Sequence, residues 1–322
     1  KRAFSMSDDD LQAETGEDIK ARAAWHYYVE GLTQERIAEK LGLGRVKVHR
    51  VLAAARDEGI IQFRIRNRIG ECVNLQGQLT EQHGLGEAIV VPAAADGRMA
   101  PVMIGHAAGE YLTGRINAGD VVAIGWGRTI QAAISRIERR SVPRTAVVSL
   151  LGGLTHLAPL NPAGAAVELA GRLDAECYVL PVPVFADEPQ DRDVFMGQRS
   201  IKDVLHWARR ASIAVISVGS FSRDNPIADF GFIRAHEWDE LEEAGAIGDI
   251  LCHFINAKGE LVDHPVNRRA CSLPLSDLAA IPKIVMVSGG RDKAAALKAA
   301  LSFIKVTTLV TDEDGARGLL EA

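Results

Sequence analysis

Seven short apolar runs, rich in β-branched residues, recur from residue 87 onward, and a stretch of helical composition separates each from the next. They are AIVVP at 88–92, DVVAIG at 120–125, TAVVSLL at 145–151, CYVLPV at 177–182, IAVISVG at 213–219, KIVMVSG at 283–289 and VTTLVT at 306–311. Strands that are apolar throughout are buried on both faces, and strands alternating with helices pair in parallel with helices covering both sides. The pattern predicts a doubly wound, Rossmann-like α/β domain over 87–322. With 322 residues, 47% of them apolar, the chain exceeds one typical domain and can fill such a core.

Ahead of this domain the periodicity is of another kind. In TQERIAEKLGLGRVKVHRVLAAARDEGIIQFRIR, residues 33–66, Thr33 suits an N-cap, and Ile37, Ala38 and Leu41 line one face of a short helix. Gly42 falls where the chain must reverse, at no Cβ penalty. A second helix turns Val48, Val51, Leu52 and Ala55 inward and leaves Arg45, Lys47, His49 and Arg50 outside. Ile61, Phe63 and Ile65 then alternate with Gln62, Arg64 and Arg66, a half-buried strand with a basic edge. This is the pattern of a winged helix-turn-helix over 17–68, which sets its second helix in the DNA major groove. Thr33, Gln34, Arg45, Lys47, His49, Arg50, Arg64 and Arg66 are the candidate DNA contacts. An earlier helix from about Glu17 to Glu30 would pack Ile19, Ala23 and Tyr27 on this pair, and residues 1–16, polar and acidic, read as a mobile tail. Residues 69–86 read as a linker helix carrying Val73, Leu75 and Leu79.

Charge supports the division. The whole chain carries −5. Residues 33–68 hold nine Lys or Arg against four acids, a local +5, so the remainder sums to −10. Phosphate binding needs a basic patch, not a basic protein, and its strength falls steeply with salt. Cys72, Cys177, Cys252 and Cys271 are scattered without metal or CxxC spacing, which suggests free thiols in a reducing, cytoplasmic compartment and no bound metal. No run reaches the roughly 20 apolar residues of a membrane span and no signal peptide is visible, so no membrane partner is expected.

Open α/β sheets bind ligands at the carboxyl ends of their strands, and several strand ends here carry glycine and polar residues. Ile124-Gly125-Trp126-Gly127-Arg128-Thr129 leads from a strand into a helix, where two glycines admit close backbone approach and the helix N-terminus favours an anion. Gly152 and Gly153 end the next strand. Ser288-Gly289-Gly290-Arg291-Asp292-Lys293 ends another and places a lysine in a first helical turn, where a cation is unfavourable unless it serves a ligand. Gly248-Asp249-Ile250 sets one acid among small residues, suited to accepting hydroxyl hydrogen bonds. The polar segment 263–268, DHPVNR, reads equally as ligand contact and as turn chemistry. Aromatic residues make up 5% of the chain, so no stacking platform for a ring is evident.

The helix-turn-helix followed in order by IGWGRT, LLGG, RSIKDVL, GAIGDIL, DHPVN and SGGRDKAAALKAAL resembles the bacterial SorC family of sugar-responsive transcription regulators over nearly all the chain after the tail. The resemblance implies an effector domain similar to the sugar-phosphate isomerase and deaminase fold, but acting as a sensor. It also implies a homo-oligomer, dimer or tetramer, that binds operator DNA and represses, or sometimes activates, a carbohydrate operon. It places the polar or phosphate end of a sugar, polyol or sugar-phosphate at Gly125, Gly127, Arg128 and Thr129, beside a wall of Gly152 and Gly153. Asp249 and Lys293 then engage hydroxyls or phosphate, with Gly289 and Gly290 in the adjoining turn. One departure is Gly44, where the family commonly has a serine capping the recognition helix; glycine there costs only a few tenths of a kcal/mol.

A sensor of a non-carbohydrate molecule is the alternative within the same class. Isomerase or deaminase chemistry would need a general base at the pocket. Only Asp249 with Lys293 qualifies, because His106 and His206 sit in helical patterns. Schiff-base formation would need a buried, depressed Lys293. Fusion to a DNA-reading module favours the sensor, without catalytic residues and without a cofactor.

Overall fold

The computed structural model describes residues 16–28, 30–60, 69–94, 97–154, 160–223 and 225–322. The chain divides into two compact units, residues 1–67 and 68–322. In the first, α1 (Gly16–Tyr28), α2 (Gln34–Leu41) and α3 (Arg45–Asp57) pack around Ala23, Ala24, Ile37, Ala38, Val48, Leu52 and Ala55. The Thr33 hydroxyl accepts from Arg36 N at 3.3 Å to cap α2, and Gly42 at φ 63° ends it, with Leu43 N donating back to Ala38 O. Gly44 starts α3 in extended conformation with no side-chain cap bond. The α1 face differs from the 3.6-residue reading. Ala23, Ala24 and His26 are buried, whereas Tyr27 is exposed, because the helix turns its small residues to the close crossing and keeps the larger ring outside. The basic strand anticipated at 61–66, with Arg64 and Arg66, and the tail through residue 15 lie outside the described residues.

The second unit begins with α4 (Ile69–His83), which packs on the edge of the sheet through Leu75 and Leu79 while Val73 faces solvent. There follow β1 (Glu87–Val91), α5 (Ala100–Thr113), β2 (Val121–Ile124), α6 (Arg128–Arg136), β3 (Ala146–Gly153), α7 (Pro162–Leu173) and β4 (Glu176–Pro183). Next come α8 (Pro189–Gly197), α9 (Arg199–Arg209), β5 (Ile213–Ile216), β6 (Val218–Ser220), α10 (Pro226–Asp229), α11 (Ala235–Glu243), β7 (Gly248–Ile250) and β8 (His253–Ile255). The unit closes with α12 (Pro265–Arg269), α13 (Leu275–Ala279), β9 (Ile284–Val287), α14 (Ala294–Phe303), β10 (Thr308–Asp312) and α15 (Glu313–Glu321). Seven strands form one parallel sheet in the order β1-β10-β9-β5-β2-β3-β4, and β6-β7-β8 form a small antiparallel sheet.

Alternate residues of each central strand enter different cores. Val122, Ile124, Val147, Ile213, Val215, Val285 and Val287 pack with Ile104, Ile130, Ile134 and Leu169 of α5, α6 and α7 on one face. Ala123, Val148, Ala214, Ile216, Ile284 and Met286 pack with α4, α9, α14 and α15 on the other. This is why the central strands read as unbroken apolar runs. Among the described residues no helix is long and apolar enough to cross a membrane.

Two glycines one helical turn apart bring α5 and α6 into backbone contact. A Cβ on Gly105 would lie 2.6 Å from Thr129 O and 2.5 Å from Ala132 Cβ, and one on Gly109 would lie 2.4 Å from Ala133 O. The first turn of α6 is thereby held against α5. Gly105→Ala is expected to lower the free energy of unfolding by about 1–3 kcal/mol in urea titration, the usual cost of overpacking. Gly77→Ala on α4, where a Cβ meets nothing within 4 Å, should instead raise it by up to about 1 kcal/mol through helix propensity.

Candidate functional site

The connections fix where a ligand can enter. From β2 the chain runs through α6, on the face shared with α5 and α7, to β3 on one side. From β5, which pairs with the other side of β2, the chain runs over the opposite face to β9. The carboxyl ends of β2 and β5 therefore diverge, and a crevice opens at this switch point, where open α/β sheets bind ligands. A solvent-open cleft lies there.

One wall is the β2–α6 turn. Gly127 has φ 121°, a conformation that only glycine adopts readily, and it precedes α6, whose first residues Arg128 and Thr129 line the cleft. Thr129 is buried and Arg128 exposed at its mouth. Trp126 also lines the cleft, with its ring 6.2 Å from that of Phe230. Trp126 is itself buried, so it contributes an edge of the cleft wall more than an open platform. Pro101 at the start of α5 and Val218 with Ile227 add apolar surface.

The floor is built by the small sheet. Gly219 of β6 lies opposite Asp249 of β7, and a Cβ on Gly219 would fall 2.1 Å from Asp249 Oδ1, so glycine makes the space that the carboxylate fills. Asp249 Oδ2 accepts from Cys252 N at 3.2 Å. The two residues between β7 and β8, Leu251 and Cys252, have φ 50° and 64°, the left-handed pair of a type I′ hairpin normally filled by Asn or Gly. The carboxylate bond holds two unfavourable residues in that turn. Burial raises the Asp249 carboxyl from an ordinary 3.8 to about 6, opposed by the Cys252 N–H and the nearby Lys293 ammonium. Lys293, half-buried, ends the turn before α14 and lines the cleft beside Asp249, with Ser217 and Asn225 completing the polar set. Asn225 also caps α10 and donates to Ser220 O at 3.2 Å.

Of the residues anticipated from sequence, Gly127, Arg128, Thr129, Asp249 and Lys293 line the cleft; Gly125, Gly152, Gly153, Gly289 and Gly290 do not. Gly125 extends the β2–β5 pairing, its N–H donating to Val215 O at 2.9 Å. A Cβ on Gly152 would sit 2.4 Å from Pro183 O, so this glycine permits strand contact with β4, and Gly153 accepts from Val184 N. Gly289 leaves room for Ile104 and Asp312, and Gly290 N donates to Asp312 Oδ1 at 2.8 Å; together they fold the chain that carries Lys293. The DHPVN segment does turn chemistry. Asn267 bonds Phe254 N and O and Val262 O at 2.7–2.9 Å, and His264 caps α12 while pairing with Glu240. His106 and His206 are exposed on helices away from the cleft. Ser217, Gly219, Asn225 and Trp126 also line the cleft; Ser217 and Gly219 fall inside the run 213–219, which reads as one strand but breaks at Ser217 into β5 and β6. Among the described residues no cluster of His, Cys, Asp and Glu could hold a metal ion.

In the first unit Arg45, Lys47, His49 and Arg50 are all exposed on α3, whose buried residues are Val48, Leu52 and Ala55. Arg45 Nη1 lies 2.9 Å from Glu35 Oε1 of α2. Thr33 is exposed and Gln34 half-buried at the start of α2.

Comparison with known proteins agrees with this architecture. The family model described as "Putative sugar-binding domain" matches residues 67–321. Over 310 residues the chain is 32% identical to the erythritol catabolism regulatory protein EryD of Brucella abortus (strain 2308), covering 96% of this chain and 98% of that protein. It is 35% identical over 312 residues to the transcriptional regulator LsrR of Enterobacter sp. (strain 638), covering 95% and 94% respectively. The crystal structure of the full-length sorbitol operon regulator SorC from Klebsiella pneumoniae superposes with a TM-score of 0.71 at 25% identity, over 97% of this chain and 99% of that one.

The raised Asp249 value has a signed consequence. A carboxyl that holds its proton more tightly when folded stabilises the fold below its unfolded value, and that contribution is lost as pH rises through the folded one. The wild-type chain should lose stability from this group between pH 3.8 and about pH 6. Asp249→Asn, whose amide oxygen can keep the Cys252 N–H, should become more stable relative to wild type across that interval. Urea midpoints at a series of pH values check this; a pH-independent difference would remove Asp249 as the titrating group.

Proposed function

The chain belongs to the SorC-type family that carries this sugar-binding domain, and from that premise we propose that it is a transcriptional regulator whose operator affinity is set by a sugar, polyol or sugar-phosphate held between the ends of β2 and β5. The observation that carries the effector reading is the convergence in one cleft of a helix N-terminus with Arg128 and Thr129, a lysine, a buried carboxylate and Trp126. Such a set suits a carbohydrate. The backbone N–H groups, Arg128 and Lys293 attract a phosphate or other anionic end. Asp249 and Asn225 order hydroxyls, and Trp126 with Val218 and Ile227 covers an apolar C–H face.

Residues 17–68 act as the DNA-binding head, with α3 in the major groove. The effector domain is a doubly wound relative of the sugar-phosphate isomerase and deaminase fold that senses instead of catalysing. The chain works in the cytoplasm as a homo-oligomer whose paired heads read operator half-sites, and it represses a carbohydrate or polyol operon until its effector binds. The effector acts through unequal affinity for two arrangements of the assembly.

Thermal denaturation with sugars, polyols and their phosphates tests the cleft. A true effector at 100 times its Kd should add about 2.7 kcal/mol of stability, and Thr129→Val or Lys293→Ala should abolish that gain. Fluorescence anisotropy with operator DNA tests the other half. Both cleft variants should bind operator as wild type does yet no longer respond to effector, whereas Arg50→Ala should lose at least tenfold in operator affinity and keep the effector shift. Operator affinity within twofold of wild type for Arg50→Ala would move the reading surface off α3.

A further inference from the structure

The N-terminal half of helix α3 carries an exposed apolar residue, whose chemistry does not fit a phosphate contact. Val46, second in the helix, is 69% exposed, in a segment whose other exposed first-turn and second-turn side chains are Arg45, Lys47, His49 and Arg50. At about 100° per residue, Val46, His49 and Arg50 share one stripe by their i, i+3, i+4 spacing. That stripe lies nearly opposite the buried Val48, Leu52 and Ala55. Arg45 and Lys47 fall about 100° to either side of Val46. The outer face of α3 therefore has an apolar centre at its N-terminal end with a cation on each flank. A helix seated in a major groove presents its centre to base edges and its flanks to the two phosphate walls. An isopropyl group accepts and donates no hydrogen bond, so it gains nothing from a phosphate. The one apolar feature among base edges in that groove is the thymine C5 methyl.

We propose that Val46 is a specificity-determining residue that reads the C5 methyl of a thymine in each operator half-site, while Arg45 and Lys47 hold the helix to the flanking phosphates. This rests on the reading of residues 17–68 as a DNA-binding head.

The test uses the full chain and DNA sites selected by it from a random pool. Each thymine of the selected half-site is replaced in turn by deoxyuridine, which removes only the methyl, and binding is measured for wild type and Val46→Ala. The expected result is one position where deoxyuridine weakens wild-type binding about fourfold, the value of one buried methyl, and where Val46→Ala is indifferent to the methyl. The salt dependence of Val46→Ala should match wild type, because no phosphate contact is lost. If wild type shows no methyl-sensitive thymine, or if Val46→Ala keeps the same sensitivity, the proposal is overturned while DNA binding stands. If no DNA is enriched by the full chain, both the proposal and the DNA-binding reading fall.

Discussion

A seven-stranded parallel sheet has no face that can meet water, and the second unit of this chain follows from that requirement. Each strand must bury both sides, so each crossover must lay a helix or a small subdomain over one of them. Because β2 is paired on both sides and the connections that leave β2 and β5 cover opposite faces, their carboxyl ends separate and leave a gap that the backbone cannot fill. The site is a by-product of covering the sheet. What the sequence adds is the chemistry around the gap: a helix start, a lysine, an acid and an indole.

The acid arrives by an indirect route. Asp249 belongs to the three-stranded sheet, and its place depends on Gly219 leaving room, on the Cys252 N–H binding the carboxylate, and on a two-residue turn of Leu251 and Cys252 in left-handed conformation. Strained turns of this kind persist where the surroundings over-determine them and where a functional group must be aimed. Ionising a carboxyl in that setting is costly, and the turn amide and Lys293 offset only part of the cost. An effector that donates hydroxyls to Asp249 would stabilise its charged form, so such binding releases a proton.

The large strands were legible because burial on both faces writes an unbroken apolar run that no helix of similar length would show. The small sheet was not: Val218–Ser220, Gly248–Ile250 and His253–Ile255 are three residues each, below the length at which alternation can be read. The glycines were visible but ambiguous. A glycine that admits a ligand and one that admits another backbone look alike in sequence, and here Gly127 is of the first kind and Gly152 of the second. Trp126 was in plain view within IGWGRT, yet only packing against Phe230 turns it into a wall. On α1 Ala23 is buried as its spacing implies, whereas Tyr27 is exposed and Ala24 and His26 are buried in its place. The residue that buries is decided by how closely the helices cross, and Ala23 and Ala24 permit a closer crossing than Tyr27 would.

The pairing of Arg45 with Glu35 has a consequence for how the reading head meets its target. Both side chains are largely exposed, and an exposed pair of this sort is worth only ~0–1 kcal/mol. It is too weak to hold the guanidinium back from a phosphate, but strong enough to bias it among its rotamers before contact. Off DNA, the arginine rests on its own domain, and its charge is partly cancelled there. In the proposed complex with DNA a phosphate competes with Glu35 for that guanidinium, so the acid tunes how readily Arg45 is released to it.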